Sequence, residues 1–118
     1  MKVRMEVEIG GLKLQNPLLT GSGTFGSGQE YLPFLDLNSL GGVVVKGITL
    51  LPREGNPPPR LIETPSGLLN AIGLQNPGVD YFVSNVLPQL SSYRTNFIVN
   101  ISGNTREEYG ILAQKLSV

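Results

Sequence analysis

Lys46 follows three consecutive valines, Val43 to Val45, and precedes Gly47. A cation so placed sits at the mouth of an apolar strand and not on a solvated helix face. Two roles suit it: a charge aimed at a bound anion, or a lysine snorkelling out of the core at a strand end. Asn100 holds the equivalent place after Phe97-Ile98-Val99, as a ligand contact or as an ordinary turn residue. Gly21-Ser22-Gly23 follows the short run Pro17 to Thr20. Its spacing fits neither a dinucleotide fingerprint nor a P-loop. Bare backbone there would let a flat ring approach closely, with Ser22 bonding the ring's heteroatoms. A fourth group, Asn70-Ala71-Ile72-Gly73-Leu74, lies between Pro65 and Pro77. Asn70 offers donors and an acceptor, which suits a planar amide or imide, and Gly73 would let backbone N–H groups face a carboxylate. The plain alternative is a proline-stiffened structural loop.

Composition removes several other chemistries. Cys and His are both absent, so thiolate nucleophiles, disulfides and the commonest zinc ligands and general base are excluded within these residues. Nine basic residues balance nine acidic ones without any basic run, so there is no net field to draw in nucleic acid or an anionic membrane. The N-terminus lacks a signal-peptide core, and no apolar stretch reaches the roughly 18 residues of a membrane span, so a cytoplasmic location is expected. With 40% hydrophobic and 15% charged residues the chain reads as globular, a single domain at 118 residues. Its 15 glycines and 9 prolines cluster between apolar runs, as ordinary turns do and as ligand-approached loops do.

The positioning elements follow from periodicity. Val3, Met5, Val7 and Ile9 alternate with charged residues, Gly10-Gly11 turns the chain, and Leu12-Lys13-Leu14 alternates again, predicting a hairpin. Pro17 to Thr20 predicts a short strand, with a helix from about Gln29 to Leu37. Val43 to Val45 predicts a strand buried on both faces. The Pro-rich segment from Ile48 to Pro77 has no helical period; so long a loop is functional or holds small strands of its own. Asn76-Pro77-Gly78 opens a helix over about Val79 to Leu90, and Phe97 to Val99 gives a third buried strand. Thr105-Arg106-Glu107-Glu108 has the capping-box pattern of a helix whose apolar face holds Tyr109, Leu112, Ala113 and Leu116. A hairpin and then three strand–loop–helix units predict a parallel α/β sheet, doubly wound or a (β/α)₈ barrel. In either, ligands sit beyond the carboxyl ends of the strands, where Ser22, Lys46 and Asn100 fall. Lys46, Asn70 and Asn100 are therefore expected to converge on one cavity.

Four stretches carry a family resemblance: Ser22-Gly23-Thr24-Phe25-Gly26, Val45-Lys46-Gly47-Ile48-Thr49, Arg53-Glu54-Gly55-Asn56-Pro57-Pro58-Pro59-Arg60, and Leu69-Asn70-Ala71-Ile72-Gly73-Leu74-Gln75-Asn76-Pro77-Gly78. In that order they resemble dihydroorotate dehydrogenases of the NAD-linked class 1B type, over nearly the whole chain. The third and fourth are highly specific; the glycine-rich first is not. The resemblance implies the N-terminal part of a (β/α)₈ TIM barrel, with residues 1–118 an incomplete portion of one FMN-binding domain. It implies oxidation of dihydroorotate to orotate in pyrimidine synthesis. Ser22, Lys46, Gly47 and Asn100 would contact FMN, while Lys46 and Asn70, Ala71, Ile72, Gly73 and Leu74 would hold the substrate. It further implies a homodimer of catalytic subunits within a heterotetramer. The partner subunit would carry FAD and a [2Fe–2S] cluster and pass electrons to NAD⁺.

The sequence departs from the family in one large respect. The family's proton-abstracting base is a Cys in a later loop, which these residues do not contain, so no catalytic base is expected here. A barrel needs about 250 residues, and the run Leu116-Ser117-Val118 stands where a fourth strand is expected. Two competing readings are a related FMN barrel enzyme, such as dihydropyrimidine dehydrogenase, and a non-catalytic scaffold or assembly module. The Asn70 to Leu74 segment favours dihydroorotate.

Overall fold

The computed structural model describes residues 3–117, so Val118 of the expected fourth-strand position lies outside the described residues. The hairpin forms as β1 (Val7–Ile9) and β2 (Leu12–Leu14), with Val7 opposite Leu14. Both turn glycines take positive φ, 56° at Gly10 and 86° at Gly11, the twist that suits a two-residue hairpin. The expected strand over Val3 to Ile9 is shorter than its alternation suggests. Its partner ends early because the Gln15 and Asn16 side chains turn away to the carbonyls of Leu40 and Ser39, at 2.7 and 2.9 Å.

Parallel pairing carries the core. β3 (Gly42–Ile48) lies beside β6 (Asn96–Ile101), Val43 opposite Phe97 and Val45 opposite Val99. The predicted first strand lies along the other side of β3 and is reduced to one parallel bridge, Leu19 to Gly42. The Thr20 hydroxyl fastens it there, donating to the Val44 carbonyl at 3.1 Å and accepting from the Val44 N–H at 2.8 Å. Three parallel segments therefore stand side by side in chain order. Val43 and Val45 are wholly buried with Leu37, Val79, Phe82, Leu90 and Leu112, whereas Val44 is half-buried. The expectation of burial on both faces holds for the helix side alone.

The helix expected over Gln29 to Leu37 does not form. Two 3₁₀ turns replace it, Gln29–Tyr31 and Leu37–Ser39. Pro33 has no N–H for a continuous ladder, and the Asp36 carboxylate caps a new start by accepting from the Asn38 N–H at 3.0 Å. The long proline-rich segment holds its own antiparallel hairpin, β4 (Leu61–Thr64) with β5 (Gly67–Asn70).

The helix after Gly78 runs as α1 (Val79–Tyr81), a wide π turn over Phe82–Val86, and α2 (Leu87–Leu90). Pro88 cannot bond back one turn, which accounts for the widening ahead of it. α3 (Arg106–Leu116) starts as its capping pattern predicts: the Thr105 hydroxyl accepts from the Glu108 N–H at 3.2 Å. Glu108 reaches back one residue further than a capping box requires, to the Asn104 N–H at 2.6 Å. Leu112 is buried and Leu116 partly so, but Tyr109 and Ala113 of the predicted apolar face are exposed.

Candidate functional site

Along β3 and β6 the register slips at one place. Val45 faces Val99 and Ile48 faces Ile101, so Lys46 and Gly47 together stand opposite Asn100. This is a β-bulge, a device that re-aims side chains and recurs beside active sites. The two sequence-predicted strand ends therefore meet at one irregularity. A Cβ added to Gly47 would lie 3.0 Å from Leu74 Cδ1 and 3.8 Å from Asn100 Nδ2. Gly47, Leu74 and Asn100 thus form one small junction where backbone stands in for a side chain.

Lys46 is held through its backbone, its N–H donating to the Gly26 carbonyl at 2.8 Å, so β3 and the glycine-rich loop are tied together at the bulge. The half-buried Lys46 side chain lines a cleft of about 520 Å³ with Ser27, Glu30, Arg53, Gln75 and Tyr81. The side chains of Ser22, Lys46, Asn70 and Asn100 have no hydrogen-bond or ion-pair partner among the described residues. At Gly23 the backbone is open, since a Cβ there would meet nothing within 4 Å, whereas one at Gly21 would lie 3.5 Å from Thr24 Oγ1. The loop itself is stiff, because Phe25 stacks on Tyr31 at 4.3 Å between centroids and the Tyr31 hydroxyl donates to the Thr24 carbonyl at 2.9 Å.

The Asn70 to Leu74 segment leaves the β4–β5 hairpin and runs beside residues 54–60. Ala71 N–H donates to the Arg60 carbonyl at 2.9 Å, and Asn56 N–H donates to the Ile72 carbonyl at 3.0 Å. Asn56 Nδ2 also donates to the Ala71 carbonyl at 2.8 Å. Gly73 is required by this packing: its φ is 78° and a Cβ would stand 2.7 Å from the Asn56 backbone nitrogen. The N–H groups of Ile72, Gly73 and Leu74 donate to nothing among the described residues. Three adjacent free donors of this kind suit a carboxylate or a ring carbonyl.

The structure does not bring every predicted residue into one cleft. Asn70 and Ala71 line a recess of about 240 Å³ with Arg60 and Leu61. Gly73 and Leu74 line another, of about 370 Å³, with Arg53 and Asn56. Lys46 and Asn100 are register neighbours at the bulge and Leu74 lies against Gly47. Lys46, Asn70 and Asn100 nevertheless share none of these recesses, so the expected convergence on one cavity does not hold. Sequence reasoning missed the Thr49–Asn76 contact at the base of the long loop, reading Asn76 only as the start of a helix. It also missed Arg60, which bonds the Glu54 and Asn56 carbonyls at 3.2 Å each and the Gln75 side chain at 2.6 Å. No group of three or more acidic residues able to hold a metal occurs among the described residues. On α3, backbone hydrogen bonding and the Thr105 hydroxyl hold the Glu107 carboxyl below its ordinary range.

A family model described as dihydroorotate dehydrogenase matches residues 4–118, and the chain belongs to that family. Within it, the chain is 63% identical over 116 residues to dihydroorotate dehydrogenase B (NAD(+)), catalytic subunit, of Desulforamulus reducens. It is 55% identical over 116 residues to the subunit of the same name in Thermoanaerobacter pseudethanolicus. Each match takes in 98% of this chain and 38% of the relative. The chain thus spans about two-fifths of the length of those proteins. Among solved structures it is similar to DHODH from Eimeria tenella, crystallised with ferulenol, at TM-score 0.63 and 26% identity. That likeness covers 86% of this chain and 29% of the other.

Proposed function

We propose that this chain contributes the first part of a (β/α)₈ barrel in the catalytic subunit of an NAD-linked dihydroorotate dehydrogenase. That subunit would oxidise dihydroorotate to orotate for pyrimidine synthesis, in the cytoplasm. The observation that carries the reading is the junction of Lys46, Gly47 and Asn100 at the bulge, joined by Leu74 of the Asn70 segment. High identity to subunits named for this activity supports it.

The residues present fit a flavin. Open backbone at Gly23 would admit a flat ring, and Ser22, Lys46 and Asn100 offer partnerless polar groups at the carboxyl ends of three neighbouring parallel segments. FMN held there would supply the two-electron acceptor for the substrate's hydride. Lys46 would place a positive charge beside the substrate carboxylate or the reducing flavin, favouring the state in which negative charge grows. Asn70 would pair with a ring amide, and the free N–H groups of Ile72, Gly73 and Leu74 would take a carboxylate or carbonyl oxygen. The family resemblance implies a Cys as the proton-abstracting base, and residues 1–118 hold no Cys, so on this reading the base would come from outside them. The name of its relatives, a catalytic subunit of an NAD(+) type, supports a second, electron-transfer subunit. That subunit would carry FAD and a [2Fe–2S] cluster and pass electrons to NAD⁺. A homodimer of catalytic subunits within a heterotetramer completes the proposed assembly.

Titrating the flavin-loaded full-length protein with orotate tests the reading. Saturable perturbation of the flavin absorption band supports it, and a spectrum that orotate does not change refutes it.

A further inference from the structure

The loop between β3 and α1 is closed at its base by one buried amide. Asn76 is 6% exposed and Thr49 7%. Thr49 Oγ1 has one hydrogen and gives it to the Leu51 carbonyl at 2.6 Å, so it receives Asn76 Nδ2 at 2.9 Å. The second Nδ2 hydrogen goes to the Leu74 carbonyl at 2.9 Å. Asn76 Oδ1 accepts the N–H groups of Thr49 at 3.1 Å and of Gly78 at 2.9 Å. Every donor and acceptor of the side chain is thereby used.

The two edges of this amide do different work. The Oδ1 edge joins the end of β3 to the start of α1, which is structural. The Nδ2 edge grips Leu74, which has φ 57° and is the one non-glycine residue at positive φ among those described. A branched side chain leaves that region readily unless surroundings hold it there. Leu74 in that conformation directs its side chain to the Gly47–Asn100 junction. It also fixes the direction in which the free N–H groups of residues 72–74 point.

We propose that Asn76 is a positioning residue for the substrate segment, acting through its Nδ2 edge on the Leu74 backbone. This rests on reading residues 70–74 as substrate-binding. Asn76→Asp keeps the acceptor edge, removes both donors and sets a carboxylate oxygen against the Leu74 carbonyl.

The test uses the flavin-loaded full-length protein, reading orotate Kd from the flavin spectrum and dihydroorotate KM and kcat per bound flavin. Loss of one directed hydrogen bond predicts that Asn76→Asp raises Kd and KM about tenfold, with kcat per bound flavin within about threefold of the parent. In a Leu74→Gly background, where glycine takes positive φ unaided, the same change should raise Kd by less than about threefold. A variant that loses thermal stability or flavin but keeps its orotate Kd within about twofold makes Asn76 merely structural and overturns the proposal. Should Asn76→Asp not accumulate with flavin, Thr49→Val removes the hydroxyl that helps hold the amide. A Kd raised about threefold or more then supports positioning, and an unchanged Kd overturns it. A parent protein that fails to bind orotate overturns the dehydrogenase reading and this inference with it.

Discussion

Gly47 stands against Leu74 so closely that a methyl group on it would come within 3.0 Å of Leu74 Cδ1. One residue is next to last in β3 and the other ends the loop segment that begins at Asn70, so this contact joins the two halves of the proposed site. Gly47→Ala would push Leu74 away from the bulge. The neighbour is the tip of a flexible side chain, so the stability loss should be small, about 1 kcal/mol, as for modest overpacking. Orotate binding should suffer more than folding does. Chemical unfolding and an orotate titration of the same variant separate the two effects.

Gly73 makes the opposite case. Its added Cβ would meet the Asn56 backbone nitrogen at 2.7 Å, and its φ of 78° disfavours any side chain. Backbone cannot swing aside as a leucine tip can. Gly73→Ala should therefore destabilise the loop by about 2 kcal/mol or more through strain and clash together. Hydrogen exchange of the full-length protein should show the loss concentrated in residues 53–76, where the Arg53 and Asn76 backbones pair.

Thr105→Ala removes the hydroxyl that accepts the Glu108 N–H. Loss of an N-cap of this type costs about 1 kcal/mol, and orotate Kd should stay within about twofold because Thr105 lines none of the recesses that hold Lys46, Asn70 or Leu74. Thr105→Ser should restore the cap. Thermal melts of the three proteins read this directly.

How much of this was legible in the sequence depends on which physics decided each part. Local chemistry wrote itself plainly: Gly10-Gly11 between alternating runs gave the hairpin, and Thr105 with Glu108 gave the cap of α3. The valine run gave β3, and the residue after it, Lys46, is a candidate for the proposed site. The helix expected after Gln29 was lost because Pro33 and the Asp36 cap outweigh a weak apolar period. The bulge could not be read at all, since it exists only as a mismatch between β3 and β6. Asn76 was hidden for a similar reason: its partner Thr49 lies 27 residues away, and Asn-Pro-Gly on its own reads as a turn.

The β4–β5 hairpin leaves Leu61, Ile62, Leu68 and Leu69 each more than half exposed. Ile62 and Leu69 face each other across the strands. An uncovered two-strand hairpin of this kind has open edges and an apolar face. Residues 1–118 produced alone should therefore associate, and Ile62→Thr with Leu69→Thr should reduce association. Light scattering across a concentration series gives the answer; a monomer at all concentrations would mean this surface needs no cover.

The most direct test mixes flavin-loaded full-length protein with dihydroorotate in an anaerobic stopped-flow and follows flavin absorbance. Rapid bleaching is the predicted result for the parent. Lys46→Ala should slow it by about ten- to a hundredfold, the equivalent of roughly 1.5–3 kcal/mol for one charge-assisted hydrogen bond. Lys46→Arg should rescue poorly, because the planar guanidinium differs in reach and geometry from an ammonium. A parent flavin that stays oxidised contradicts the dehydrogenase reading itself; a Lys46→Ala rate within about twofold of the parent would make Lys46 a snorkelling strand-end lysine and remove it from the site.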